Sequence, residues 1–424
     1  MRENAAVTLT NWAGNVTFRA RHLHRPSSVD ELRAVVAGAD RIRPLGTGHS
    51  FNRMADTDGD LVSVAGLPSA MTIDAEGGTV TLAAGVRYGE LATHLHGAGF
   101  ALHNLGSLPH ISVAGACATG THGSGRRNGN LATAVVGLSM VVADGGLVRL
   151  RRGEAGFAGA VVGLGALGVV TDLTLGIEPT YEVRQYVYDG LAHAAVLDHL
   201  DEVLGAGYSV SLFTDWTGPV TYQAWVKRRD DEPEAPGPSP GGSRLGASLA
   251  DGPRHPVPGM PTSHCTEQLG RPGPWHLRLP HFRLEFTPSS GEELQSEYFV
   301  PIERGAEALT AVDAIRDRVA PVLQISEVRT IAADDLWMSP AHGRDSLAVH
   351  FTWIADTAAV TPVVKAVEER LAPLGARPHW GKVFHMAPEA VGPLYPRRED
   401  FVALTRRYDP KGKWRNELLD RYLG

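Results

Sequence analysis

Apolar and polar positions alternate in short segments over the first 178 residues of this 424-residue chain. Ser28 and Glu31 have the spacing of a capping box ahead of an apolar run, which predicts a helix that Gly38 ends. A second helix is expected from Tyr88 to His96, where the apolar residues fall on one face. Short strands are predicted at residues 41–45, 79–84, 138–142, 147–150 and 169–175.

The pattern changes after Glu178 and Pro179, where a domain boundary is expected. Helices are predicted at residues 302–319 and 358–371, as in an α+β sheet that is covered on one side. Residues 230–261 are rich in Pro, Gly, Ser and Asp and show no period, which predicts a mobile surface excursion. Longer strands are predicted at residues 209–214, 222–227, 281–287, 294–300, 325–331 and 347–353.

Composition and charge exclude several classes of protein. The 43% hydrophobic content is enough for a sizeable core and suggests two to three domains at about 150 residues each. A net charge of −7 argues against nucleic acid as a partner. The sequence holds no uninterrupted apolar run of about eighteen residues, so no membrane span is expected, and its start does not resemble a secretory signal. Two cysteines cannot form a disulfide framework, so a reducing cytoplasm is the expected location.

Two glycine-rich runs are the first sign of a ligand site. They are Gly46–Ser50, which contains His49, and Thr119–Gly125, which contains His122. Glycines let the backbone approach a ligand closely, and successive bare N–H groups bind phosphate. Neither run is a Walker loop or a nicotinamide fingerprint. The two runs suggest one long ligand between them, with His49 against it. The plainer interpretation, a loop histidine that binds backbone carbonyls, is favoured for His122.

Two strands carry ordered polar pairs. Side chains alternate along a strand, so Glu327 and Arg329 share one face, and His350 and Thr352 share a face of the other strand. Placed side by side, the strands would form a polar floor of carboxylate, guanidinium, imidazole and hydroxyl groups. The alternative interpretation is a solvated sheet face with a Glu–Arg ion pair.

Lys382 follows Trp380 and Gly381 in a chain with only five lysines. Desolvation there would make it lose its proton easily, although a surface lysine is the plainer interpretation. Ser107 would by default be an ordinary turn serine. No metal is expected, because the eighteen histidines show no ligand spacing.

Taken together, five segments in one order resemble the vanillyl-alcohol oxidase flavoprotein family. Within that family the chain is most similar to the alditol oxidases and more distantly to the sugar-lactone oxidases. The resemblance implies an α+β, two-domain flavoprotein with an FAD-binding domain (1–178), a substrate domain with a large antiparallel sheet (179–382) and a tail (383–424) that returns to the FAD domain. The segments are Gly46–Ser50, Ser107–Gly115, Ala118–Gly125, Glu327–Thr330 and His379–Lys382.

The same resemblance implies the residues of the site. His49 matches the histidine that carries FAD covalently at its 8α-methyl carbon. Ser107, Glu327, Arg329, Thr352 and Lys382 match the residues that hold a polyol over the flavin, with His350 beside them. Further FAD contacts are implied for Pro44, Leu45, Gly46, Thr47, Gly48, Ser50, Ser107, Ser112, Gly115, Thr119, Gly120, Thr121, His122 and Val170.

The expected activity is oxidation of a terminal CH2OH of xylitol or sorbitol to the aldose, with reduction of O2 to H2O2. Lys382 is the expected base and His350 the second candidate, with Arg329 and Glu327 as further catalytic groups. The enzyme is expected to be a monomer. The near alternative is a sugar-lactone oxidase or dehydrogenase on the same fold. A non-catalytic flavin- or sugar-binding protein would be favoured if Glu327, Arg329 and Lys382 lay far from the flavin.

Overall fold

The computed structural model describes residues 9–232, 245–286 and 291–424. In its first part the helices are α1 Val29–Gly38, α2 Tyr88–Gly97, α3 Val113–Ala118 and α4 Phe157–Val161, with short 3-10 turns at Arg53–Ala55, Val64–Gly66 and Leu131–Ala134. The strands are β1 Leu23–His24, β2 Ile42–Pro44, β3 Asp60–Val62, β4 Met71–Asp74, β5 Thr79–Ala83, β6 Phe100–Ala101, β7 Val135–Val141, β8 Leu147–Arg151, β9 Val169–Gly176 and β10 Glu178–Pro179.

Three sheets arise from these strands. A parallel sheet has the order β1-β3-β2, an antiparallel sheet has the order β4-β5-β9-β7-β8, and β6 pairs with β10. Ser28 caps α1 through a hydrogen bond from the Glu31 amide, and Glu31 in turn accepts from Ser27 rather than from the cap residue. The helix predicted on these two residues is therefore confirmed.

The second part contains a nine-stranded antiparallel sheet. Its main order is β14-β11-β13-β12-β17-β18-β16-β19, and β15 pairs with β11. The strands are β11 Glu182–Ala192, β12 Ser209–Thr214, β13 Thr221–Arg229, β14 Ser248–Leu249, β15 Gly273–Pro274, β16 Leu294–Pro301, β17 Leu323–Ile331, β18 Ser346–Trp353 and β19 Arg377–Pro378.

Helices cover one face of this sheet. Val328 and Val349, which point away from the polar positions of their strands, lie in the same buried cluster as Leu309 and Val364, which belong to two of these helices. The helices are α5 His193–Asp198, α6 Leu200–Leu204, α7 Gly305–Asp313, α8 Arg316–Val319, α9 Thr357–Leu371, α10 Pro388–Val391, α11 Arg398–Tyr408 and α12 Glu417–Leu423. Short 3-10 turns lie at Thr262–His264, Trp275–Leu277, Ile302–Arg304, Ala320–Val322, Ala372–Leu374 and Gly392–Leu394.

Two predicted elements are wrong in part. The strand expected at 281–287 is not formed over residues 281–286, where Phe282 alone bridges to Cys265, and residue 287 lies outside the described part. The alternating pattern finds no long partner strand there, and Leu284 stays 43% exposed. The helix expected at 302–319 is divided into a 3-10 turn, α7 and α8, because the chain leaves helical geometry at Ile315 while burying its side chain.

The segment 230–261 is also different from its prediction where it is described. Residues 245–261 lie partly against the sheet: β14 pairs with β11, and Val257 is 6% exposed within an apolar cluster that includes Phe213 and Phe282. The prediction of mobility for residues 233–244 lies outside the described residues.

The chain's last forty residues contact its beginning. Trp414 is fully buried beside Leu32 and Val36, and its carbonyl accepts a hydrogen bond from Arg43 at 2.8 Å. The domain boundaries at residues 178 and 382 stay a prediction. None of the helices in the described residues has the length and apolar character needed to span a membrane.

Candidate active site

A single cavity of about 270 Å³ brings the two glycine-rich runs together with the polar face of the nine-stranded sheet. Every residue predicted to touch the cofactor or the substrate lines this cavity, with the exception of Gly120. Gly120 has a φ of +68°, and a Cβ there would lie 2.9 Å from Pro340. Its role is therefore to turn the backbone, not to face the cavity.

The polar pairs lie side by side because β17 pairs with β18. Glu327 stands opposite His350 in this register, and Ile325 stands opposite Thr352. Their exposed fractions are 4% for Glu327, 5% for Arg329, 7% for His350 and 3% for Thr352. The interpretation of these residues as a solvated sheet face is therefore wrong.

Glu297 on β16 is the main site residue that sequence reasoning missed. It stands opposite His350, so Glu327, His350 and Glu297 form one row across three strands. Its Oε1 lies 3.0 Å from Nη2 of Arg329 and its Oε2 accepts from Nζ of Lys382 at 2.7 Å. Burial opposes its ionisation, but the charges of these two cations hold the pKa of Glu297 well below its usual range. The available signal was the spacing of Gln295 and Glu297, which places both side chains on one face of the strand.

Lys382 is held in place by the two residues that follow the first glycine-rich run. The amide of Phe51 donates to the Gly381 carbonyl at 2.7 Å, and the Asn52 side chain donates to the carbonyls of Trp380 and Lys382. The Lys382 side chain is 14% exposed, so the interpretation as a surface lysine is wrong. Burial lowers the pKa of Lys382 and Arg329 lowers it further, whereas Glu297 opposes both effects.

His49 lies in the first glycine-rich run and lines the cavity, and its ring stacks on Trp12 with a centroid distance of 5.2 Å. Burial lowers the pKa of His49 to about 4, with a smaller contribution from His110, so the ring is neutral at pH 7. Its Nδ1 is buried and has no hydrogen-bond partner among the described residues. A buried polar atom of this kind requires an explanation, and a bound group is one.

His122 binds a backbone carbonyl, as its plainer interpretation predicted. Its Nδ1 lies 2.8 Å from the Gly123 carbonyl oxygen, and its Nε2 lies 3.1 Å from Oε1 of Glu297. Ser107 is more than a turn serine, because its Oγ accepts from Nη1 of Arg329 at 3.3 Å. Both residues therefore connect the cofactor side of the cavity to the polar floor.

His350 occupies the centre of the polar row. Neither ring nitrogen has a hydrogen-bond partner among the described residues, although the residue is buried. Burial lowers the pKa of His350 to about 3, and the charge of Lys382 adds to this effect. The ring is thus neutral, with one donor and one acceptor that a bound molecule can satisfy.

Glu327 is the second acid of the row. Its Oε1 lies 3.4 Å from Nε of Arg329 and 2.9 Å from Nε2 of His281. Burial alone would raise the pKa of Glu327, yet the charge of Arg329 and the hydrogen bond from His281 hold it below its usual range. His281 and its neighbour Lys227 were not predicted as site residues, although Lys227 was one of only five lysines.

Two sequence families match separate parts of the chain. The FAD binding domain family matches residues 20–151, and the D-arabinono-1,4-lactone oxidase family matches residues 291–422. Among whole proteins, an alditol oxidase of a Streptomyces species is 52% identical over 98% of this chain and 98% of its own length. An L-gulono-1,4-lactone dehydrogenase of Mycobacterium tuberculosis is 31% identical over 98% of this chain and 99% of its own length.

Solved structures show the same fold. A solvent-stable cholesterol oxidase superposes with a TM-score of 0.80 over 98% of this chain and 97% of its own length, at 16% sequence identity. The cholesterol oxidase of B. sterolicum gives a TM-score of 0.77 at 13% identity, over 98% of this chain and 96% of its own. The predicted α+β flavoprotein fold with a large antiparallel sheet is therefore confirmed.

Proposed function

This chain belongs to the alditol oxidase family of FAD-binding enzymes, and from that premise we propose that it oxidises the terminal CH2OH of alditols such as xylitol and sorbitol. The product is the aldose, and O2 is reduced to H2O2. The observation that carries the proposal is the buried row of Glu327, His350 and Glu297, with Arg329 and Lys382, in the same cavity as the glycine-rich runs. A polyol has many hydroxyl groups and little apolar surface, so its site needs several donors and acceptors.

The residues around the cavity fit FAD. The buried Nδ1 of His49 lacks a partner, and a Cβ at Gly46 or Gly115 would lie within 2.8 Å of the Ser112 hydroxyl. These glycines keep the two loops close together, with backbone exposed to the cavity between them. FAD would be held by the loops at 44–50, 107–122 and Val170, and bound there it would accept a hydride from the substrate and pass the electrons to O2.

The sheet side of the cavity orients the alcohol. The ionised carboxylate of Glu327 accepts hydroxyl hydrogen bonds, and the neutral ring of His350 offers one donor and one acceptor. Arg329 remains charged between Glu297 and Glu327 and reaches Ser107 on the cofactor side. The fixed positive charge of Arg329 stabilises negative charge that develops near Ser107.

Lys382 removes the hydroxyl proton. A carbinol gives up hydride readily only as its O–H proton leaves, so a base must lie within hydrogen-bond reach. Burial and Arg329 favour the neutral amine, whereas Glu297 favours the ammonium and holds the Nζ in a fixed position at 2.7 Å. His350 is the second candidate for this role.

A substrate panel tests the proposal. Peroxide formation in air is measured with polyols, sugars and aldonolactones under identical conditions. We expect kcat/KM to be highest for open-chain polyols, because the chain is 52% identical to an alditol oxidase and 31% identical to a lactone dehydrogenase. Turnover of γ-lactones with no turnover of polyols would instead support the alternative, a sugar-lactone oxidase or dehydrogenase.

The covalent link of FAD to His49 is part of the proposal, and the free Nδ1 supports it. We expect acid-precipitated wild-type protein to stay yellow, and His49→Ala to release its flavin into the supernatant. His110→Ala serves as the matched control, since His110 neighbours His49 and should leave the flavin attached. A colourless wild-type pellet would contradict the link.

Access of oxygen is expected to depend on Gly106. A Cβ there would make only ordinary van der Waals contacts, the nearest 3.6 Å from the His122 carbonyl oxygen, so the fold has room for alanine at this position. Gly106→Val should slow reoxidation of the reduced flavin by O2 more than reduction by xylitol, because the added methyl groups narrow the cavity beside Ser107. Stopped-flow measurement of both half-reactions decides this, with Gly106→Ala as the smaller step. Equal slowing of the two half-reactions would count against it.

A monomeric state and a cytoplasmic location stay predictions. Size-exclusion chromatography with light scattering measures the first directly. Fractionation of the source cells measures the second.

A further inference from the structure

A lysine that the proposed reaction does not use lies behind the carboxylate of Glu327. Lys227 on β13 is 1% exposed. Its Nζ donates to the carbonyl of Leu279 and lies 3.2 Å from Nδ1 of His281. The carbonyl of Pro280 lies 3.4 Å away, and burial lowers the pKa of Lys227 to about 7. Burial of an amine without polar partners costs free energy, and the fold offsets this cost by placing two carbonyl groups and an imidazole around the Nζ of Lys227.

The two polar neighbours of His281 fix which of its nitrogens carries the proton. The ionised carboxylate of Glu327 only accepts hydrogen bonds, so the lone pair of Nδ1 faces Lys227 and the single proton of the neutral ring is on Nε2. This nitrogen lies 2.9 Å from Oε1 of Glu327, with the Ser211 hydroxyl farther away at 3.4 Å. Burial and Lys227 lower the pKa of His281 to about 4 against the opposing effect of Glu327, which keeps the ring neutral at pH 7.

The ring of His281 is also fixed in position. It makes edge contacts with the rings of Phe213 and Trp225 at centroid distances of 5.3 and 5.2 Å. The amide of Thr266 donates to the His281 carbonyl at 2.9 Å, and the Thr266 hydroxyl donates to Pro280 at 2.7 Å. The orientation of the N–H toward Glu327 is thus set by packing as well as by hydrogen bonding.

We propose that Lys227 and His281 are positioning residues that hold Glu327 in the orientation that binds the substrate. Lys227 donates to the lone pair of Nδ1 and holds the ring of His281, and the Nε2–H of His281 anchors one oxygen of Glu327, so that the rest of the carboxylate is free to accept polyol hydroxyls. Loss of Lys227 leaves Nδ1 without its donor, so the ring can move away and its hydrogen bond to Glu327 is lost. The identity of the ligand in this inference rests on the proposed function, whereas the tautomer of His281 does not depend on it.

A spectroscopic experiment tests the tautomer without turnover. Protein loaded with FAD and labelled with 15N-histidine is measured at pH 7, and His281 is assigned from the signals that vanish in His281→Gln. We expect a protonated Nε2 and an unprotonated Nδ1 in the wild type, and a changed Nδ1 chemical shift in Lys227→Met, because this nitrogen loses the hydrogen bond that it accepts. A proton on Nδ1 in the wild type, or an unchanged spectrum in Lys227→Met, would overturn the proposal. The wild-type spectrum decides the tautomer even if the variant does not fold.

A kinetic experiment tests the consequence for Glu327. In anaerobic stopped-flow, Lys227→Met should raise the xylitol concentration for half-maximal flavin reduction by about tenfold or more, the effect of a lost hydrogen bond to a charged group. The limiting rate should change less. His281→Gln offers an amide N–H to the same carboxylate but has no ring nitrogen for Lys227 to hold, so adding Lys227→Met in that background should change this concentration by about twofold or less.

The outcomes separate the two proposals. If Lys227→Met raised the half-maximal xylitol concentration equally in the wild type and in His281→Gln, Lys227 would act only through packing, and the inference would be overturned. Failure of every polyol to reduce the wild-type flavin would overturn the proposed function, while the 15N spectrum would still decide the Lys227–His281 arrangement.

Discussion

Replacing Lys382 by methionine is expected to lower the rate of flavin reduction by xylitol by roughly two to four orders of magnitude, the usual contribution of a positioned general base. Methionine keeps the approximate size of the side chain, and Glu297 retains its contact with Arg329 at 3.0 Å, so the fold and the bound flavin should survive. The measurement is the limiting rate of anaerobic reduction in a stopped-flow spectrophotometer. Lys365→Met, on the exposed face of α9, is the matched control and should leave the rate unchanged.

The pH dependence of the same rate distinguishes the two candidate bases. Burial and Arg329 lower the pKa of Lys382 from its usual value, so a Lys382 base predicts a rate that rises with pH as the ammonium loses its proton. The pKa of His350 is about 3, so a His350 base predicts a rate that is flat above about pH 4. A flat profile with near-normal reduction by Lys382→Met would transfer the role to His350, and His350→Ala should then show the large loss.

Glu297→Gln is expected to give the largest loss of stability among the variants of this site. The change leaves two buried cations without their shared carboxylate, and removal of one partner from a buried ion pair costs about 3–5 kcal/mol. We expect roughly 3 kcal/mol, the lower end of that range, because Lys382 can lose its proton and Arg329 keeps Glu327 as a neighbour. The free energy of unfolding in urea is the measurement, and Glu369→Gln on the surface should change it by about 0.5 kcal/mol or less.

Glu297→Gln should also change the pH profile of the flavin-reduction rate. The negative charge of Glu297 raises the pKa of Lys382, so its removal lowers that pKa. The rising limb of flavin reduction should therefore move to lower pH in Glu297→Gln. A limb that stays in place, or moves to higher pH, would contradict the assignment of the limb to Lys382.

Much of the candidate site could be predicted from local sequence. The pairs Glu327 with Arg329 and His350 with Thr352 share a face because the side-chain period of a strand is two, and this holds wherever the strand lies. The glycine-rich runs were informative for a similar reason, since close backbone approach needs residues without side chains, as Gly46 shows beside Ser112. The order of the five segments then indicated the family, which the 52% identity to an alditol oxidase confirms.

Local patterns failed where pairing and burial decide the structure. The alternation at 281–286 was typical of a strand, yet only Phe282 finds a bridge partner, so the segment bends and carries His281 to Glu327. The segment 230–261 was expected on the surface, but Pro256 and Val257 line the cavity. In both cases the segment contacts residues that lie elsewhere in the chain, and the local composition does not identify those residues.

The sequence by itself determined which strands carry polar faces, where the backbone must approach a ligand, and which family the chain resembles. Only the tertiary structure decided that Glu297 forms ion pairs with both Lys382 and Arg329, and that Lys227 contacts His281. Lys382 and Glu297 are 85 positions apart, and their contact at 2.7 Å depends on the register of β16 against β18 and on the loop that Phe51 and Asn52 hold. A charge's effect on a pKa depends on distance and burial, and both are set only when the sheet and the loops have assembled.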